Sequence, residues 1–425
     1  MNAGLVVIIL LLGLAIAGFP IYMALAIGTV VAINMADLPI MAIPQKMFAG
    51  MDSTSLLAIP FFILAGTLMS RSITTKLIEL ANAFIGFVRG SLGVITVLAS
   101  ALFGAISGSG VATASAIGGI TIPGMKNEGY PDHFAAAVAS ISSILGPIIP
   151  PSIVLIVYSS ITNVSVKGLF LGAIAPGLIL VLGLSAYVLI YGKKKDLPVH
   201  EKVDRRGKGK ALKEGIWALL MPVIILGGIF GGVFTATEAA VMACVYAVVI
   251  GLFVYKDTKL KELPGIFVES AISTSVIMIM VGISKASSYV IVTSGLPQEL
   301  LEFFNAITDS KVVLLILLNI LFLVIGMIME ANAAVVMMTP LLVPLFSVFN
   351  IDPLAFGVII SFNLCIGLVT PPVGLCLLIG NQIADTSISK TFRTMLPMLI
   401  IAVIVLLLIT YFEPLTTWLP SLVKS

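Results

Sequence analysis

Residues Gly146–Ser152, GPIIPPS, are written again as GLVTPPV at Gly367–Val373, and both stretches interrupt apolar runs. Proline has no amide hydrogen and its ring clashes with the preceding helical turn. Pro150-Pro151 and Pro371-Pro372 should therefore each break a helix and free carbonyls. At membrane depth such carbonyls persist only when packed in protein or lining a wet cavity. Two matched breaks read as two halves of one polar site.

Composition places these breaks in a bilayer. Of 425 residues, 59% are hydrophobic and 10% charged, with a mean hydropathy of +1.19, far above a soluble domain. Uncharged runs such as Leu5 to Met35 and Ile400 to Tyr411 are too long for barrel strands and predict an all-α polytopic membrane protein. Ala15-Ile16-Ala17 offers a signal-peptidase site, but no basic region precedes it and the apolar run continues past it. A retained first span is expected. Cys244, Cys365 and Cys376 lie in apolar segments without metal or disulfide spacing and read as packing residues.

Charge is concentrated at mid-chain. Lys193 to Glu214 carries nine Lys/Arg and four Asp/Glu, a local +5 in a chain of net +3. A basic run can bind nucleic acid, but beside spans it follows the positive-inside rule. No nucleic-acid partner is expected, and residues 193–215 are predicted to form a cytoplasmic linker between repeats at 1–192 and 216–425.

The halves superpose in sequence at an offset of 221, which sets Pro123 on Pro344, Gly146 on Gly367, the double prolines on each other and Pro176 on Pro397. Near the start an offset of 214 sets Gly13 on Gly227 and Gly18 on Gly232. Five crossings per half plus a re-entrant hairpin would make the repeats inverted, with both termini outside. The hairpins are predicted at about 95–125 and about 318–346, and the broken helices at 134–160 and 354–380. In this count Arg71 to Arg89, an amphipathic segment suited to an interface, falls on the outer side despite its basic residues.

The first hairpin holds GAISGSGVAT, where Ser107, Ser109 and Thr113 offer hydroxyls. Gly and Ser here suit either a tight turn with exposed oxygens or close helix packing. The second holds Met327 to Ala333, MIMEANA, and sets Glu330 and Asn332 in an apolar run. A carboxylate there faces a cation, a donor or water, or snorkels to an interface. Gly146, Pro147, Pro150 and Ser152 in one break, and Gly367, Thr370 and Pro371 in the other, add carbonyls and hydroxyls. Oxygen-only sets suit a hard cation such as Na⁺, while half-helix N-termini favour an anion between the two sites. Asn381 and Asp385 would reach the cavity rim or cap the next helix. Glu238, beside Thr235 and Thr237, would support a break or pack. Lys285 would meet an anion or neutralise Glu238 or Glu330. His133 sits in a polar turn and reads as solvated.

With these residues the chain resembles the large membrane subunit of tripartite ATP-independent periplasmic (TRAP) transporters, within the ion transporter superfamily of elevator-type carriers. The resemblance spans essentially the whole chain through MDSTSLLAIPFFILAG, FGAISGSGVATASAIGGITIPGM, SSILGPIIPPSIVLIVY, GGVFTATEAAV and GLVTPPVGLCL. It implies a scaffold, a transport domain with two hairpins, no cofactor beyond about two Na⁺ as coupling ions, and an organic acid anion of the sialic acid or C4-dicarboxylate type. By motif, Ser107, Gly108 and Ser109 with Gly146 and Pro150 would hold one Na⁺. Glu330, Asn332, Gly367, Thr370 and Pro371 would lie near the other. Ser109, Gly110, Thr113, Pro151, Ser152, Pro372, Asn381 and Asp385 would face the substrate.

The resemblance also implies a bacterial inner-membrane location, a separate small membrane subunit of about four helices and a periplasmic substrate-binding protein. The other expectations are a standalone Na⁺/dicarboxylate-type carrier and a membrane enzyme using Glu238 or Glu330. No nucleophile and base pair supports the enzyme, and no Walker motif points to ATP hydrolysis.

Overall fold

Gly18 and Pro20 divide the first apolar run. A computed structural model describes residues 2–72, 74–197, 199 and 205–423, and it folds the predicted span Leu5–Met35 as two helices. These are α1 (Ala3–Ile16) and α2 (Ile21–Met35), packed on each other across a turn with Gly18 at φ +90°. A positive φ is open to glycine at no steric cost, and Pro20 then starts α2 with a fixed φ. Gly232, 214 residues later at φ +71°, makes the corresponding turn in the second half.

The first half continues with α3 (Ala42–Met51), α4 (Ala58–Ser72), α5 (Thr74–Ile85), α6 (Ser91–Ser107), α7 (Gly110–Asn127), α8 (Asp132–Ser143), α9 (Leu145–Ile148), α10 (Ile153–Thr162) and α11 (Val166–Lys194). The second half has α12 (Arg205–Phe230) and α13 (Ala236–Val249). A π-turn at Ile250–Tyr255 and a 3₁₀ turn at Leu260–Glu262 lead to α14 (Leu263–Thr293) and α15 (Leu296–Ile307). The chain closes with α16 (Lys311–Ile328), α17 (Ala331–Val348), α18 (Pro353–Gly367), α19 (Leu375–Ala384), α20 (Ile388–Tyr411) and α21 (Pro414–Leu422). The starts of α5, α6, α7, α8, α10 and α11 recur 220–222 residues later as α15, α16, α17, α18, α19 and α20.

Among the described residues eight helices are long and apolar enough to cross a membrane, or nine if α4 and α5 form one bent span. Ten such helices are expected from five crossings per half. The turn at Gly18, the first hairpin tip and the second Pro-Pro break leave α1, α2, α6, α18 and α19 as shorter apolar helices outside that count.

Helix α11, 29 residues and about 43 Å long, marks the two ends of the molecule. Its last turn packs on Gly90, beside the Arg89–Asp196 ion pair, and its first turn packs on Leu354. Helix α6 therefore begins at the linker end, and α18 at the far end. Lys311, opening α16, donates to the Asn350 carbonyl at 2.8 Å and pairs with Glu413, so α16 starts and α17 finishes at the far end too. Asn2 donates to the Ser294 carbonyl at the finish of α14 and to Glu299, which places α1's start at that same far end.

One expectation is corrected. Lys76 of α5 pairs with Glu214 at 2.8 Å, so α5 lies at the linker end and not opposite it. The turn at Gly18 adds a crossing before it, which restores agreement with its basic residues. Helix α5 is amphipathic as predicted and buries Thr74, Leu77, Leu80 and Ala83. The predicted linker is in part helical, since α12 begins at Arg205. Its residues 198 and 200–204 lie outside the described residues, as does Ile73 in the amphipathic segment.

The core is the pair of broken helices with the hairpin helices around them. The apolar window of Asp132–Thr162 is 94% buried, against 28–39% for Val166–Lys194, Gly207–Phe230 and Ala236–Tyr255. The interrupted backbone thus sits in protein, as the loss of helical hydrogen bonds at membrane depth requires.

Candidate functional site

Two helical hairpins and two helix breaks converge on one cavity. In the first hairpin α6 closes at Gly108, at φ +61°, whose amide bonds the Gly104 carbonyl at 2.9 Å. A side chain there would be strained by φ and would also stand 2.8 Å from the Pro151 carbonyl, so only glycine lets the tip touch the break. Ser109 is the N-cap of α7, its hydroxyl accepting from the Ala112 amide at 3.4 Å. In the second hairpin Glu330 holds the same place 221 residues on. Its carboxylate accepts from the amides of Asn332 (2.9 Å) and Ala333 (3.2 Å) and from the Asn332 side-chain amide (2.7 Å). An acidic N-cap gathers the free first-turn amides and complements the helix dipole.

The breaks carry their own caps. Both Pro-Pro peptides are cis. Ser152 caps α10, accepting from the Leu155 amide at 3.3 Å and donating to the Pro147 carbonyl at 2.5 Å. In the second break Thr370 Oγ1 donates to the Ile366 carbonyl at 2.8 Å, and the Val373 amide reaches the Met327 carbonyl of α16 at 3.3 Å.

Close approach is bought by glycine at matched places. A Cβ on Gly146 would lie 2.6 Å from both the Ser109 carbonyl and Thr113 Oγ1, and one on Gly367 would lie 2.2 Å from the Gly326 carbonyl carbon. Behind the first tip, Thr113 Oγ1 donates to the Ser109 carbonyl at 2.7 Å and lies 3.4 Å from Ser107 Oγ. Hydroxyl and carbonyl oxygens from α6, α7 and the break are thereby gathered within a few ångströms. At the second tip Asn332 Oδ1 is buried without a hydrogen-bond partner. An orphaned amide oxygen beside a carboxylate is a ready acceptor for a cation.

The cavity holds about 790 Å³, within the range of small-molecule sites. Ser107, Gly108, Ser109 and Gly110 line it from one tip, Glu330 and Asn332 from the other, with Pro147 and Leu368 from the breaks. Gly146, Thr113, Pro150, Pro151, Ser152, Gly367, Thr370, Pro371 and Pro372 are not in its wall. Several of these, Gly146, Thr113, Ser152 and Gly367 among them, are buried behind the tips. Asn381 does not reach it either: it is buried in α19, donating to the Leu377 carbonyl at 2.9 Å and accepting from Thr391 at 2.5 Å. Asp385 is exposed at the left-handed C-cap of α19, φ 54°. Glu238 lines no part of the cavity and forms a capping box with Thr235 at the start of α13. Lys285 goes to the Ser160 carbonyl at 3.0 Å rather than to a carboxylate.

The opposite wall is absent from the sequence-derived set. It comes from Thr67 and Ser70 of α4, Ser115 of α7, and Glu269 and Ser273 of α14. The signal was available: 67 and 70, and 269 and 273, are spaced by one helical turn, so each pair places polar atoms on one face of an apolar helix. Ser70 and Glu269 stand near the linker ends of their helices, so this wall flanks the linker side of the tips.

A family model for the DctM component of tripartite ATP-independent periplasmic transporters matches residues 6–415. The chain is 38% identical over 415 residues to the sialic acid TRAP transporter large permease SiaM of Vibrio cholerae, covering 97% of each. It is 36% identical to the C4-dicarboxylate large permease DctM of Pseudomonas aeruginosa, covering 88% of each. It is 37% identical to the isethionate permease DctMQ of Oleidesulfovibrio alaskensis, covering 93% of this chain and 63% of that protein. Among solved structures the fold is similar to the Alcanivorax borkumensis YdaH transporter, with TM-score 0.60 at 16% identity over 87% of this chain and 89% of that one. It is also similar to Neisseria gonorrhoeae MtrF, with TM-score 0.58 at 12% identity over 87% and 83%.

Proposed function

The chain belongs to the DctM family of TRAP transporter large permeases, and on that premise we propose that it takes up an organic acid anion by Na⁺ symport with an elevator motion. As a member of a transporter family it is a permease and not an enzyme. The observation that carries the finer proposal is the meeting of both hairpin tips in one cavity, with oxygen ligands behind each tip.

One Na⁺ is assigned to Ser107, Gly108, Ser109, Gly146 and Pro150, and a second to Glu330, Asn332, Gly367, Thr370 and Pro371. The anion lies between them, in the cavity that both hairpin tips line. The two halves are inverted repeats in this proposal, supported by the first hairpin opening at the linker end and the second at the far end. With the basic linker in the cytoplasm, the wall formed by Ser70, Glu269 and Ser273 on the linker side supports reading this as the inward-facing state. The hairpins and broken helices move as one body against α2, α4, α13 and α14. A small membrane subunit and a periplasmic binding protein complete the system in the bacterial inner membrane. The relatives' substrates make sialic acid, C4-dicarboxylates and isethionate the first anions to try.

The test is uptake into liposomes holding this chain, its small subunit and the cognate binding protein. Accumulation should require an inward Na⁺ gradient together with the binding protein. Uptake that continues unchanged after the gradient is collapsed refutes the symport.

A further inference from the structure

Lys285 sits within the membrane-spanning helix Leu260–Thr293, half-buried and away from the main cavity. An ammonium there must find acceptors. Its stem is seated in the wall that α14 shares with α3: a Cβ on Gly50 would lie 2.2 Å from Lys285 Cγ and 2.5 Å from its Cβ. Its Nζ crosses to α10 and donates to the Ser160 carbonyl at 3.0 Å. Ser160 is in the last turn of α10, where carbonyls lack helical partners and the dipole is negative. The Val164 amide, which would serve that carbonyl in a longer helix, goes instead to Thr162 Oγ1 at 3.4 Å.

Beside this contact is a second cavity of about 210 Å³, lined by Lys285 and Ser288 of α14, Ile161 of α10, and Val336 and Pro340 of α17. Proline at 340 has no amide, so the Val336 carbonyl four residues earlier has no helical donor from that position. The sequence offset puts Gly119 in the place of Pro340, so in the first half the carbonyl matching Val336, that of Ser115, keeps its helical donor. Lys285 is thus bonded to one carbonyl at the end of α10, and Val336, whose carbonyl lacks its helical donor, lines the cavity beside it.

We propose that Lys285 is a positioning residue that latches the hairpin body in two positions, on the Ser160 carbonyl in the present state and on the Val336 carbonyl after the hairpin body has moved outward. The proposal rests on the elevator motion proposed above. Val336 is one turn nearer its hairpin tip than Pro340, so outward travel of that body past α14 brings Val336 towards the lysine and takes Ser160 away. The Ser160 dock is the stronger, because it adds a helix terminus to the carbonyl.

A cysteine pair, Ile161→Cys with Ser288→Cys, reports the present state by crosslinking across the small cavity in the full complex in liposomes. Na⁺ and substrate should change the yield. Pro340→Ala gives the Val336 carbonyl its amide and weakens the second dock, so the yield should rise. Lys285→Met removes the stronger dock, so the yield should fall and turnover should drop by about tenfold or more, while Lys285→Arg keeps most of both. In the Lys285→Met background, Pro340→Ala should no longer alter the yield. A yield insensitive to Na⁺ and substrate overturns the moving body and the latch with it. A sensitive yield that Pro340→Ala leaves unchanged, or shifts equally with and without Lys285, overturns the latch alone.

Discussion

Replacing Gly146 by alanine tests the proposed first cation site without removing any side-chain ligand. The new Cβ would stand 2.6 Å from the Ser109 carbonyl oxygen and 2.9 Å from its carbon, where ordinary contact begins at 3.4 Å. The hairpin tip must retreat by roughly 0.8 Å, since close-packed interiors have no slack to absorb it. Oxygen ligands hold hard cations at about 2.3–2.6 Å, so a retreat of this size detaches one ligand. Overpacking of this kind costs about 1–3 kcal/mol, equivalent to roughly 5- to 150-fold in an equilibrium constant. The Na⁺ concentration for half-maximal uptake should therefore rise about fivefold or more. Gly119→Ala is the control, on the helix α7 that Ser109 caps but with nothing within 4 Å of its Cβ. It should leave the Na⁺ curve unchanged. A folded Gly146→Ala protein whose Na⁺ curve overlays the wild type would refute the assignment, and so would an equal shift from Gly119→Ala.

Three further outcomes follow from other contacts. Glu330→Gln should raise the half-saturating Na⁺ concentration more than Ser109→Ala, because one removes a formal charge and the other a neutral cap; equal shifts in a Na⁺ titration would contradict this. Asn363→Leu deletes hydrogen bonds of 3.0 and 2.9 Å to the Asn319 carbonyl and side chain, which also binds Thr410 at 3.1 Å. The loss should be about 0.6–1.7 kcal/mol, visible as a lowered thermal midpoint in detergent, and an unchanged midpoint would count against a structural role. Lys76→Met removes a partly exposed ion pair with Glu214, generally worth about 0.2–1 kcal/mol, so uptake and midpoint should stay near wild type.

The double prolines were legible because a missing amide has one physical consequence wherever it falls, and the glycine-rich tip because φ > 0 selects glycine. The turn at Gly18 was harder. In a long apolar run hydropathy gives no boundary, and only the short Gly18-Phe19-Pro20 sequence carried the information. Missing it moved α5 to the wrong end of the molecule. Asn381 was misplaced for a different reason. Asp385 turns the chain at φ 54°, which folds α20 back so that Thr391 meets Asn381, a tertiary pairing that local pattern does not contain. The cavity wall from Glu269 and Ser273 was missed because neither hairpin nor break is involved there, although their spacing by one helical turn was readable.

Ser109 and Glu330 occupy one position of the repeat and do the same local job, capping the second helix of a hairpin, yet they leave different chemistry behind. The serine cap is neutral, so the first tip must gather its oxygens from Ser107, Thr113 and the Ser109 carbonyl. At the second tip the carboxylate already receives three donors, two backbone amides on Oε2 and the Asn332 amide on Oε1. That arrangement turns Asn332 so that its amide nitrogen faces the carboxylate, leaving its Oδ1 buried and unmatched. The free acceptor at this tip is therefore the asparagine oxygen, while the glutamate supplies field and shape. The two proposed sites, built on one backbone plan, should thus bind the same monovalent cation with unequal strength, the second holding it by charge and the first by the number of oxygens that the Gly146 contact keeps in place.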